Sequence, residues 1–167
     1  MCLKNFSILA FFALILTVFA QGATISFMVI ETGLMGETPA IESSRLWEDA
    51  LLDVFFDTGH IVSNTPIVRI SEKPQKNLPD EAKISLNEAA EGGAEFFVVA
   101  VLDYQNLPGA ELLLLKPRSV SLRLFKTEPY RFLYSQEYTP TEIRITDSAE
   151  MANAMSAARK IAAHLKD

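Results

Sequence analysis

Seven consecutive apolar residues, Phe96 to Leu102 (Phe-Phe-Val-Val-Ala-Val-Leu), constrain this chain more than anything else in it. An unbroken β-branched and aromatic run of this length reads as a strand, and without a polar face it belongs at the centre of a sheet. Thr24 to Ile30 (Thr-Ile-Ser-Phe-Met-Val-Ile) has the same character and predicts a second strand buried on both faces. Helices must then cover the sheet, and the rest of the sequence supplies them. Thr38-Pro39 offers a capping hydroxyl followed by proline at a first helical position. From there Ile41, Trp47, Ala50, Leu51, Val54 and Phe55 recur along one helical face to about Phe56, and Thr58-Gly59 ends the helix.

His60-Ile61-Val62 begins a further strand, which Pro66 to Ile70 either continues or replaces. Ser71 to Asp80 is a polar loop punctuated by proline. Asp80 or Ser85 then caps a second helix, Ser85 and Glu88 having the spacing of a capping box, and Gly92-Gly93 closes it. After the central strand, Asn106-Leu107-Pro108-Gly109 signals a turn. Ser119 to Lys126 and Phe132 to Tyr138 alternate about Glu128 to Arg131 and read as an antiparallel hairpin. Arg118, Arg123 and Lys126 are spaced along it as a solvated face, and Phe96, Phe97, Phe125, Tyr130, Phe132, Tyr134 and Tyr138 read as core and cross-strand pairs. Asp147-Ser148 caps a last helix whose buried stripe is Met151, Met155, Ala158, Ile161, Ala162 and Leu165. The fold class is therefore α/β, a single domain with a mixed sheet flanked by helices, in the order β-α-β-α-β-β-β-α. A length of 167 residues suits one such domain and is marginal for two.

The first residues stand apart. Met1 to Asn5 carries one positive charge, Phe6 to Phe19 is almost wholly apolar, and Val18-Phe19-Ala20 presents small residues where a signal peptidase reads. Residues 1–20 are expected to be a signal peptide, with cleavage before Gln21 and residues 21–167 as the mature domain. The competing reading is a retained anchor, although the run is shorter than the ~20 apolar residues of a spanning helix. Cys2 is the single cysteine. It precedes the apolar run, so it is not placed as a lipidation cysteine, and cleavage leaves no thiol or disulfide chemistry. The net charge is −6 and becomes more negative when Lys4 is removed, which disfavours nucleic acid and anionic lipid as partners.

The chain carries few residues at the spacings that reactions need. Thr32 to Thr38 is a strand–glycine–helix junction, but Glu37 stands where a phosphate loop needs lysine, and Gly33 and Gly36 alone read as an ordinary loop. His60 and His164 are the only histidines, lie near helix ends and match no zinc motif, so both read as structural or solvated. Ser43-Ser44 lies in a helix's first turns with no histidine near it in sequence, and no Gly-x-Ser-x-Gly occurs. Glu48-Asp49 and Glu88-Glu91 read as solvated helix faces, and Met151 with Met155 as core filling. No catalytic, cofactor-binding or metal-ligating residue is assigned. Leu112, Leu113, Leu114 and Leu115 stand out as a run of four leucines. They are expected either as a buried strand paired with Val98 to Leu102 or as an exposed apolar patch for a partner.

Several stretches together resemble a group of bacterial envelope domains: the amino-terminal domain of the Tol-system propeller protein, the curli-secretion lipoprotein, and the lipoprotein activators of penicillin-binding proteins. Ile25 to Ile30 resembles their first strand, Trp47 to Leu52 their first helix, and Thr58-Gly59-His60-Ile61-Val62 their approach to strand two. Asn87 to Val99 is the nearest match, and Val120 to Phe125 resembles the strand before their hairpin. The chain departs from the group in having no lipidation cysteine after the signal and no following propeller. The resemblance implies an exported, non-enzymatic envelope protein, periplasmic or secreted. It needs no cofactor and contacts an envelope protein through a sheet edge or helix face, with membrane contact only if the signal stays uncleaved. A small-ligand-binding periplasmic domain and an exported hydrolase with an unrecognised site stay open as alternatives.

Overall fold

The computed structural model describes residues 22–34, 41–71, 77–104, 115–140 and 146–165. They form β1 (Thr24–Thr32), α1 (Glu42–Asp57), β2 (Ile61–Asn64), β3 (Val68–Ile70), α2 (Asp80–Glu91), β4 (Phe96–Asp103), β5 (Ser119–Lys126), β6 (Arg131–Tyr138) and α3 (Asp147–Ala162). The sheet order is β2-β1-β4-β5-β6, with β3 also on β1. β2, β3 and β4 run parallel to β1, whereas β5 and β6 are antiparallel to their neighbours. The run from Phe96 is thus the central strand, as its unbroken apolar character predicts.

The α/β order holds, with one refinement. Ile61 and Val68 open two short strands on the same edge of β1 rather than one. Pro66 lies between them; lacking an N–H, it cannot continue the ladder.

Three expected helix starts move. α1 opens at Glu42 with Ile41 as N-cap and no side-chain cap, and Thr38-Pro39 lies outside the described residues. The work of a cap is done from β1, where Glu31 Oε1 accepts the Ile41 N–H at 2.7 Å. α2 opens at Asp80 after Pro79, so the capping box at Ser85 and Glu88 does not form: Ser85 is interior to the helix and buried. α3 is capped by Thr146, not Asp147-Ser148; its Oγ1 accepts the Ala149 N–H at 3.3 Å. The face that α3 buries is Glu150, Ala154, Ala157, Ala158 and Ile161, and Met151 and Met155 sit half-buried at the margin. Small alanines let α3 lie close against α1, beside Trp47, Ala50 and Leu51.

Alternation along the strands divides the core. Ile25, Phe27 and Val29 of β1, Val98 and Ala100 of β4, and Leu122 and Leu124 of β5 face α1 and α3. Met28, Ile30, Phe97, Val99 and Phe125 face α2. Two helices cover the first face, but α2 alone covers the second, and it lies over β1 and β4. Among the described residues, no helix covers the second face of the β5–β6 hairpin. Tyr130 and Phe132 accordingly are not core, as the hairpin pattern suggested, but exposed at 60% and 52%.

Val98 to Leu102, the partner expected for the leucine run, has a strand on each edge. Every residue of β4 from Phe96 to Asp103 is flanked by β5 on one edge, and β1 holds the other edge over the same stretch. Leu112, Leu113 and Leu114 lie outside the described residues; Leu115 is half-buried against the α1–α3 core.

Candidate functional site

Three places were built up from their residues. The first is a buried polar cluster at the C-terminal end of the parallel strands. Glu31, at the end of β1, accepts from Arg69 Nε of β3 at 3.0 Å and forms an ion pair with its guanidinium. Glu150 of α3 reaches the first turns of α1, accepting from the Ser43 hydroxyl and from Trp47 Nε1 at 3.2 Å. Its other oxygen pairs with Lys116 Nζ at 2.7 Å, and Lys116 also pairs with Asp147. Ser44 Oγ and the Tyr104 hydroxyl are 2.8 Å apart. Burial pulls the Lys116 ammonium down, but hydrogen bonds and charge from Asp147 and Glu150 more than reverse this, so its pKa is raised. Burial holds the Tyr104 phenol well above the usual tyrosine range, against the opposing hydrogen bonds of Ser44 and Ser43. Burial also raises Tyr138, with the nearby Glu150 charge adding to it.

This arrangement is chemically closed. Each buried carboxylate has a cation and further donors. Ser43 gives its proton to a carboxylate that is already paired, with no imidazole beside it. The cluster ties the start of α1, the end of β4 and α3 into one unit, and among the described residues its polar side chains are partnered with one another. Sequence reading missed it because its members are scattered from residue 31 to residue 150. The one signal was Ser43-Ser44 interrupting the apolar stripe of a helix.

Other residues singled out from sequence have structural roles. Gly33 has φ of +78°, and a Cβ there would lie 1.9 Å from the Tyr104 carbonyl oxygen, so the glycine serves a close backbone approach. Gly36 and Glu37 lie outside the described residues. His60 Nδ1 accepts the Ala23 N–H at 3.1 Å, anchoring the start of β1. His164 stacks on Tyr134 with ring centroids 3.9 Å apart. Among the described residues no group of three or more His, Cys, Asp or Glu is placed to hold a metal ion, and no helix is long and apolar enough to cross a membrane.

The second place is the β2 edge of the sheet. Leu52 and Phe56 lie one turn apart on α1, and Ile61 opens β2 just after the turn that follows. Phe56 is 71% exposed and Ile61 67%. Glu48, one further turn up the helix, accepts from Asn64 Nδ2 at 2.6 Å, which pins β2 along this line of the helix. β2 is a terminal strand of four residues, so among the described residues its outer backbone groups have no strand beside them. Apolar side chains and an open strand edge thus coincide.

The third place is the groove between α2 and the open face of β5–β6, with a volume of about 880 Å³. Its floor comes from alternate residues of the hairpin, including Ser121, Arg123 and Phe125. Leu86, Asn87 and Ala90 of α2 form the opposite wall.

Comparison with known proteins bears on the fold. A protein-family model described as "Uncharacterised protein" matches residues 24–164, and the chain belongs to that family. No curated protein matches the sequence. Among solved structures, a PelC dodecamer from Paraburkholderia phytofirmans is similar at 13% identity and a TM-score of 0.50, covering 89% of this chain and 92% of that one. The LpoB C-terminal domain from Escherichia coli is similar at 12% identity and a TM-score of 0.42, covering 72% and 84%. Lipoprotein GNA1162 from Neisseria meningitidis follows at 12% and 0.45, covering 84% and 99%. At 13% identity and a TM-score of 0.50, the likeness to PelC is one of fold alone.

Proposed function

Proceeding from that family and that fold, we propose that the chain is an exported, non-enzymatic protein of the cell envelope that binds another envelope protein. Residues 1–20 act as its signal peptide, and residues 21–167 form the mature α/β domain in the periplasm or outside the cell. The observation that carries this reading is the β2 edge, where Leu52, Phe56 and Ile61 stay in water although the chain has a complete core elsewhere. An open strand edge with apolar side chains beside it suits β-strand addition by a partner segment. The matched charges around Glu150 and Glu31 support a role without catalysis. Leu112 to Leu115 belong to the same reading as a second contact.

The test places photo-cross-linking residues at Phe56 and at Leu113 in intact cells and identifies captured proteins by mass spectrometry. Repeated capture of one envelope protein at Phe56, abolished by Ile61→Asp, supports the reading. The variant's buried Trp47 serves as a fluorescence check that it remains folded. Capture of nothing specific at either position, or capture indifferent to Ile61→Asp, overturns it.

A further inference from the structure

We propose that the groove between α2 and the β5–β6 hairpin binds a strand of neutral polysaccharide. This goes beyond the protein-binding edge and does not depend on it, since the groove opens on the sheet face that α2 half covers.

The argument starts from the aromatic wall. Phe125 is buried, at 4% exposure, and the Tyr130 ring lies flat on it at 5.8 Å with an interplanar angle of 12°. Phe132 meets the same ring edge-on, at 5.7 Å and 64°. Both outer rings remain more than half exposed. They are therefore exposed aromatics held by a buried one. Each outer ring rests against Phe125 without a ligand, and such a contact lowers the ordering cost of binding. The free face of Tyr130 is an electron-rich plane, and the C–H face of a pyranose ring, slightly positive, lies well on such a plane.

The remainder of the lining is mixed: Leu78, Leu86 and Ala90 add apolar surface on the α2 side, and polar side chains stand around it. Asn77 and Asn87 stand across the groove on and before α2, and Ser121, Ser135 and Glu137 line its hairpin side. Amides and a carboxylate present donors and acceptors to hydroxyl groups at the rim of a stacked sugar. The charged residues of the lining are Lys83 and Arg123 against Glu128 and Glu137, so they cancel. A neutral lining in a net acidic molecule disfavours a polyanion such as nucleic acid. What remains is an uncharged ligand with an apolar face and a hydroxylated perimeter. The groove is open and has about the volume of a large ligand pocket. That shape admits several rings of a chain rather than enclosing one sugar.

The experiment titrates the exported protein with neutral hexasaccharides of glucose, N-acetylglucosamine and xylose, followed calorimetrically and by backbone amide shifts. A galacturonic acid hexamer serves as the charged counterpart. Binding of at least one neutral hexamer is expected, with shifts at α2 and β5–β6. Tyr130→Ala should weaken it about tenfold, the size of one lost stacking contact, and Tyr130→Phe should preserve it. Phe56→Ser, on the β2 edge, should leave it unchanged. Failure of every neutral hexamer, a preference for the charged one, or affinity indifferent to Tyr130→Ala overturns the proposal. So does capture of an envelope protein by a cross-linker at Tyr130, which would make the groove a protein site. Cross-linking at Phe56 fails or succeeds separately, so the two readings fall independently.

Discussion

Individual residues in this protein are decided by what lies across the fold from them. Gly33 faces the Tyr104 carbonyl so closely that Gly33→Ala must both leave a left-handed conformation and push β1 away from β4. A loss of about 1–3 kcal/mol is expected by chemical denaturation. Lys116 neutralises Glu150, which is 2% exposed. Lys116→Met should destabilise by about 3 kcal/mol, because it strands a buried carboxylate. The same residues set the response to pH. Lys116 and Tyr104 both have pKa values raised by folding. Their contributions are whole below the unfolded values of about 10 and are lost as pH rises through the folded ones. Denaturation midpoints should therefore hold through neutrality and fall in the alkaline range, less steeply in Tyr104→Phe. A midpoint that falls equally steeply in that variant would remove Tyr104 from the explanation. None of this was legible in the sequence, where Glu31, Ser43, Lys116 and Glu150 carry no spacing that joins them.

Elements were far more legible than residues, because periodicity is local. The stripe from Trp47 to Phe55 and the apolar run of β4 each state their own burial. Alternation in β5 and β6 states their pairing, although not that one face would be left bare. Helix starts were the weak point. Ser85 with Glu88 has the spacing of a capping box, yet the helix takes in Asp80 and turns Ser85 toward the sheet, where burying Ala82, Leu86 and Ala89 outweighs a cap. At α3 the hydroxyl of Thr146 takes the cap from its neighbours. Thr146→Ala should cost about 1 kcal/mol and lower Tm by about 3 °C, measured by calorimetry. The pairing expected between the leucine run and Val98 to Leu102 meets a limit that lies outside the run: β4 has β1 on one edge and β5 on the other.

At the scale of the whole molecule, the apolar start of the chain predicts a proteolytic event. Protein recovered from the periplasm or medium should begin at Gln21 by intact-mass measurement; retention of residues 1–20 would instead make the domain membrane-tethered. The topology bears on how such a journey proceeds. β1 is the first strand to be synthesised, but one whole edge of it belongs to β4, and paired groups such as Thr24 and Glu95 are 71 residues apart. Until the ribosome has delivered β4, Ile25 to Ile30 have no complete place to go. An unclosed chain is the only kind that can be threaded through a narrow channel. For the export proposed above, an earliest strand placed in the interior of the sheet would act as a delay, one that keeps the chain passable until β4 has been made.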